Sequence, residues 1–420
     1  MAAGANVSSD RRHFFMSSAQ LEALEKKEEL ELDPVRQKLG SPLRAGARIL
    51  GVEVCGDGTA VLALASHQAK SVDLKTQKLS KTAAKHTGPV TAVALLSKTY
   101  RVDGSRIAAS GSWDKSIKVW AVDDPQRTLA VLEGHSDFVK CLVAHPTLPI
   151  VYSGSADKSI MIWRLPEAAE ELVHGKLPLS IAPSKTIKGQ HTGQVYTLCL
   201  DPISAQILYS AGSDACVRAW DAQTGATVPD ISNKSDDWYI ARGQHKTNIL
   251  DCKATETGLW TASADKTAVG WDVETRKADL VLEHKLPVTA VLPIPQIGVV
   301  VTGVRDGTLF VWRVDSGQPE IIREIHAHTD DVTCLRAAGP KFYSASLDGT
   351  LRTWDIQEVV RFSGGLEYIP AEIAALKNKE TVQGAAGSVS QEGGARAGNS
   401  ALTEEEEREL AELMSDLDDM

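Results

Sequence analysis

Short apolar stretches of four to six residues recur along most of the chain, separated by polar turns, and none has the 3.6-residue spacing of a long amphipathic helix. Within them apolar and polar side chains alternate. Ile117 and Val119, then Ile160 and Ile162, point to one face while polar neighbours point to the other, as half-buried strands require. Six of these stretches share a longer pattern: a His, a short apolar strand, a Ser/Thr-x-x-x-Asp turn, and a Trp six residues after the Asp. They read SGSWDKSIKVW (110–120), SGSADKSIMIW (153–163), SAGSDACVRAW (210–220), TASADKTAVGW (261–271), TGVRDGTLFVW (302–312) and SASLDGTLRTW (344–354). Successive tryptophans lie 41–57 residues apart, which is a unit of about forty residues with insertions in two places. The prediction is an all-β fold built from a repeated unit of short strands.

The six sets are His86, Ser110, Asp114, Trp120; His135, Ser153, Asp157, Trp163; His191, Ser210, Asp214, Trp220; His245, Thr261, Asp265, Trp271; His284, Thr302, Asp306, Trp312; and His328, Ser344, Asp348, Trp354. The turn Asp can accept backbone N–H bonds. A part-buried carboxylate needs donors, which His and Trp supply. A recurring His, Ser and Asp also suggests a hydrolase triad, but a triad occurs once and needs an exposed, activated Ser. Six copies, each with a Trp, indicate architecture, and no catalytic residue is assigned.

With these sets in phase, the chain resembles the WD-repeat family over roughly 46–364. The resemblance implies a seven-bladed β-propeller in which the six sets are structural tetrads of blades 2 to 7. Residues 46–84 then form a degenerate first blade, with apolar stretches at Ile49–Val54, Val61–Ser66, Ser71–Leu74 and around Leu79. Ring closure is left open between an outer strand at Val359–Phe362 and one supplied by the N-terminal segment. The insertion near Leu165–Ser184 is expected to join the third and fourth strands of blade 3. That near Ser232–Gln244 precedes His245.

The resemblance also implies a binding face. The residues before each turn Asp are Trp113, Ala156, Ser213, Ala264, Arg305 and Leu347. Positions three and five after the opening His give Phe138 with Lys140, Gln194 with Tyr196, and Asn248 with Leu250. Trp238 and Tyr239 join them from the second insertion. The candidates for partner binding are Trp113, Phe138, Lys140, Tyr196, Trp238, Tyr239, Leu250, Arg305 and Leu347, since aromatic and Arg side chains dominate binding hot spots.

Residues 1–45 read as an arm with a charged helix at Ser18–Leu32, and 365–402 as a short helix at Pro370–Leu376 followed by a Gly/Ala/Ser-rich linker. In 403–420, Thr403 and Glu406 make a capping box. Leu410, Leu413, Met414 and Leu417 then share one helical face opposite an acidic one, a motif suited to a partner's groove or equally a solvated acidic tail.

Charge follows from that tail. Nine acidic residues against Arg408 between Glu404 and Met420 leave only −2 of the net −10 for the rest of the chain. A near-neutral body without a Lys/Arg run predicts little electrostatic footprint for nucleic acid or membrane. Six scattered cysteines without a CxxC pair, and no secretory segment after Met1, predict a reducing cytoplasmic or nuclear setting. Cys141 and Cys334 fall in the slot of Ala92, Thr197, Asp251 and Ala290, where a small side chain is expected. No phosphate loop, metal cluster or cofactor motif is present.

The reading is a non-catalytic scaffold or adaptor of an intracellular multiprotein complex, with protein partners on the upper face and a possible second protein on the acidic helix. The alternatives are a G-protein β-like subunit, disfavoured by irregular N-terminal heptads, or an assembly factor in ribosome or RNA-processing complexes that touches basic proteins. A cullin-type ligase receptor is disfavoured because no Trp-Asp pair is followed by the Arg or Lys that docking requires.

Overall fold

Alternating apolar and β-branched residues between turn signals build antiparallel strands. In blade 2 these are Val90–Leu95, Ser105–Ser112, Ser116–Ala121 and Thr128–Glu133, hydrogen-bonded in sequence order. The computed structural model describes residues 33–369, apart from 82, 174–177, 229–238, 242–243, 274, 276 and 316. Among the described residues seven such sheets form a ring, a seven-bladed β-propeller. The first strand of each blade packs against the first strands of its neighbours and lines the central channel. Apolar side chains fill the layer between neighbouring blades. Between the last and first blades, for example, Tyr343, Ala345 and Leu351 meet Ile49, Val52, Leu62 and Leu64, all buried.

Blade 1 runs through Ile49–Val54, Thr59–Leu64, Gln68–Asp73 and Lys78–Leu79, so it has four strands without a His or a Trp. The ring closes at the N-terminal side. Leu43 and Arg44 pair with Leu351 and Thr350 as the outermost strand of blade 7. Val359–Phe362 is not that strand. Asp355 caps the N–H groups of Gln357 and Glu358, and Ile356–Arg361 continues as a short helix. Buried Arg352 adds to the clasp by donating to the carbonyls of Arg36 and Leu39.

The two insertions behave differently. The first leaves the third strand of blade 3 (Ile160–Arg164) and returns as its fourth (Lys185–Ile187). On the way Leu179–Ile181 pairs in parallel with the outer strand of blade 2. In the second, Tyr239–Ala241 forms the outer strand of blade 4, paired with Val217 and Arg218, rather than a loop on the upper face.

Every first strand carries a register shift at the same place, as between Val139 and Cys141, Val195 and Thr197, and Ile249 and Asp251. A bulge leaves one residue unpaired and turns its side chain. The bulged residues Lys140, Tyr196 and Leu250, with Leu50, Thr91 and Thr333, line a channel cavity of about 150 Å³. The next residue links blades. Cys334 Sγ donates to the Val52 carbonyl, Thr197 Oγ1 accepts from the Cys252 N–H, and Asp251 accepts from the Val291 N–H. This slot therefore holds inter-blade bonds as well as small side chains.

Gly40, at φ +67°, carries the chain over the face of Trp354, where a Cβ would lie 2.6 Å from the ring. Gly46, at φ +78°, has open space around it. Substituting Ala at Gly46 is expected to cost about 1 kcal/mol of backbone strain. At Gly40 the clash adds to it, for about 3 kcal/mol. Chemical denaturation of the two variants reads the difference, and equal costs would show that the clasp does not press on Trp354.

Candidate functional site

The upper rim of the ring, where second strands turn into third and each blade connects to the next, is set by the hydrogen-bond chains beneath it. In blade 3, Trp163 Nε1 donates to Ser153 Oγ (2.8 Å), Ser153 faces His135 Nε2 (2.6 Å), and His135 Nδ1 faces Asp157 Oδ2 (2.9 Å). The donors all point one way if His135 is neutral with its proton on Nδ1, and the chain ends on the carboxylate. The sets at His86, His191, His245 and His328 are joined in the same way. Their His–Asp separations are 2.8, 2.9, 3.0 and 2.9 Å.

The set of blade 6 is not joined throughout. Trp312 donates to Thr302 and Thr302 faces His284 Nε2, but His284 Nδ1 donates to the Leu282 carbonyl. His284 lies edge-on to both Phe310 and Trp312, with ring centroids 5.4 and 5.1 Å away. Asp306 is exposed and keeps the turn bond from the Thr308 N–H.

Sequence reasoning missed two further members. The Ser or Thr two residues after the Asp (Ser116, Ser159, Thr267, Thr350) donates its hydroxyl to the Asp. The Ser two residues before it (Ser112, Ser155, Ser263, Ser346) bonds the Asp N–H and a carbonyl of the incoming connection. The first recurs in five of the six quoted segments and the second in four, and both could have been read there. In blade 4, Arg218 shares Asp214 with His191 at 2.7 Å.

Electrostatics follow from burial. Burial works against Asp214, yet the bonds from His191 and Arg218 hold its carboxyl down at about 2. Desolvation pushes His284 down to about 4 and lowers His191, His245 and His328. These histidines are neutral at pH 7.

Above this frame the candidate binding residues spread unevenly. Trp113 is 41% exposed and stacks on Phe138 with centroids 4.9 Å apart and planes 15° from parallel. Lys140 Nζ lies 5.5 Å from the Trp113 ring and 5.8 Å from Phe138. The three thus form one cluster on blades 2 and 3, and half-buried Tyr196 and Leu250 continue it along the channel rim. Arg305 stands across the ring, 3.6 Å from Asp331, and Leu347 is half-buried. Ala156 is buried. Trp238, Leu410, Leu413, Met414 and Leu417 lie outside the described residues, as do the side chain of Tyr239 and the segments 18–32 and 370–376.

The WD domain, G-beta repeat model matches residues 77–121, 126–164, 182–221 and 319–355. The chain is 28% identical over 362 residues to an uncharacterized WD repeat-containing protein of Schizosaccharomyces pombe, covering 82% of this chain and 89% of that one. It is 26% identical over 294 residues to the ribosome biogenesis protein YTM1 of Meyerozyma guilliermondii, 63% of this chain and 62% of that one. With transducin-like enhancer protein 2 of Mus musculus it shares 27% identity over 259 residues, 56% of this chain and 32% of that one.

Two outcomes follow for the frame. Asp157→Ala strands the donors of His135, Ser136 and Ser159 and is expected to cost about 2 kcal/mol or more, whereas Asp306→Ala loses one turn bond and costs about 0.5 kcal/mol. Comparable losses on denaturation would contradict the broken set. For pH, the unfolded chain takes up a proton at His284 near 6.5 while the folded chain resists down to about 4. Stability from this group is therefore full above pH 6.5 and declines as the pH falls toward 4, by at most about 3 kcal/mol. Denaturation midpoints between pH 7.5 and about 4.5 measure it, and a flat profile would show that these histidines titrate normally in the fold.

Proposed function

From the premise that this chain is a WD-repeat β-propeller, we propose that it is a non-catalytic scaffold or adaptor subunit of a multiprotein complex, recognising its partner through the upper rim of blades 2 to 4. The observation that carries this reading is the Trp113–Phe138–Lys140 cluster. A large aromatic ring at a turn tip, 41% exposed, supports nothing beneath it except the ring it stacks on. Exposed aromatic area beside a cation, on rigid strands, is the chemistry of a binding hot spot. The tetrad residues are an alternative seat for chemistry only in appearance. Ser110, Ser153, Ser210 and Ser344 are wholly buried beneath Trp and His and cannot meet a substrate.

The acidic segment 403–420, with Leu410, Leu413, Met414 and Leu417 on one helical face, is proposed as a second protein-binding element. The likeness to a ribosome biogenesis protein favours an assembly complex of that type, with the chain in the nucleus or cytoplasm, over a G-protein β-like role. Among the described residues no helix is long and apolar enough to cross a membrane.

The test is copurification with the full chain, with Trp113→Ala, and with a chain truncated before Thr403. Trp113→Ala is expected to lose one set of proteins and the truncation a different set, with the fold of each unchanged by circular dichroism. If neither change loses a copurifying protein, both assignments are wrong.

A further inference from the structure

Three of the upper turns place a lysine directly after the turn aspartate: Lys115, Lys158 and Lys266, at φ of 71°, 67° and 74°. Blades 6 and 7 hold Gly307 and Gly349 there, the residue type that this left-handed conformation favours. A lysine instead costs on the order of 1 kcal/mol of backbone strain at each turn. All three side chains are exposed, as are Lys188 and Lys246 in the connections beside buried His191 and His245. Lys140 completes the group at the channel rim. None of these six makes an ion pair with a described residue.

The carboxylates directly before three of them lie nearly buried, below the exposed lysines. Asp114, Asp157 and Asp265 accept from their histidines, and Asp137 accepts from the Phe138 N–H. The upper rim of blades 2 to 5 thus presents exposed lysines on the same side as the exposed aromatic cluster.

We propose that the partner segment taken by this face is an acidic stretch of protein with an apolar side chain that packs on Trp113. This rests on the platform reading above and adds the chemistry of the occupant. The cations draw in and orient the acidic stretch, and the ring anchors it. A single-stranded nucleic acid fits less well. Trp113 and Phe138 stack on each other with Lys140 over both, so they offer one outer face rather than successive platforms for bases. The cations sit on separate turns and connections of blades 2 to 5 instead of following a groove. All are lysines, without the arginine fork suited to phosphate.

The experiment titrates the full chain with a fluorescent synthetic peptide of Glu and Asp around a central Leu-Phe pair, with the same peptide carrying Lys for each acid, and with a single-stranded oligonucleotide of matching charge. The acidic peptide is expected to bind, more weakly as salt rises, and the lysine peptide not to bind. The triple change Lys115→Glu, Lys158→Glu, Lys266→Glu is expected to weaken binding at least about tenfold, and the three changes to Gln by less. The Gln series keeps the test readable if the charge reversal disturbs folding. Trp113→Ala is expected to weaken binding too. Loss with Trp113→Ala alone would overturn the acidic occupant and leave the platform standing. No loss with any variant, or no binding by the unaltered chain, would overturn the proposal, with the copurification result deciding the platform separately. Tighter binding of the oligonucleotide, abolished by the same lysine changes, would make nucleic acid the occupant instead.

Discussion

The structure depends on a chain of hydrogen bonds that runs in one direction. An indole N–H meets a hydroxyl, the hydroxyl meets an imidazole nitrogen, and the imidazole meets a carboxylate, as from Trp163 through Ser153 and His135 to Asp157. The charge at the end is what makes the arrangement demanding. A carboxylate so nearly buried is tolerable only while every donor around it is in place. Each donor comes from a different part of the blade: the third strand, the second strand and the incoming connection. Satisfying one charge therefore fixes three pieces of backbone at once. A neutral imidazole is part of the same bargain, because only that form can accept from the hydroxyl and donate to the acid.

Repetition spreads this constraint around the ring, so each blade need not satisfy it fully. In blade 6 the imidazole turns to a backbone carbonyl and two aromatic rings hold it. Blade 1 has no tetrad, and packing against blades 7 and 2 holds it in place. What the ring cannot spread is its closure. The two-residue strand Leu43–Arg44 supplies it, backed by the guanidinium of Arg352 on the carbonyls of Arg36 and Leu39. The bulge in each first strand then decides what faces the axis and the upper rim, which is how Lys140, Tyr196 and Leu250 come to be neighbours although they are far apart in sequence.

The fold was legible because its main signal recurs in phase. Six sets of four residue types, and four apolar stretches ahead of them, predict seven sheets. They also predict that the first insertion lies between the third and fourth strands of blade 3. What escaped has physical reasons. A two-residue strand has no periodicity to read, so Leu43–Arg44 could not be told from Val359–Phe362 as the closing element. His284 and Asp306 have the residue types and spacing of the other sets. Their separation depends on Phe310 packing against the imidazole, a contact between side chains that linear spacing does not encode. Tyr239–Ala241 begins with the Tyr of a Trp-Tyr pair that suggested an exposed loop, and its pairing with blade 4 is a property of the sheet edge alone.

The reading of charge weighed runs along the chain, and the ring adds a second arrangement to consider. A body close to neutral, with no run of Lys or Arg, argued for a weak field. In a ring of repeats, however, residues some forty positions apart are neighbours in space, so a run in sequence is the wrong thing to look for. Lys115, Lys158 and Lys266 occupy the same position in three different blades, and the fold stacks that position on one rim. The aspartates directly before them are nearly buried beneath histidines, while Asp306 across the ring is exposed. The tetrads thus do more than hold blades together. By holding Asp114, Asp157 and Asp265 below the surface, they leave Lys115, Lys158 and Lys266 as the outermost charges of those three turns. Rim residues outside the tetrads can then change without loosening the frame below.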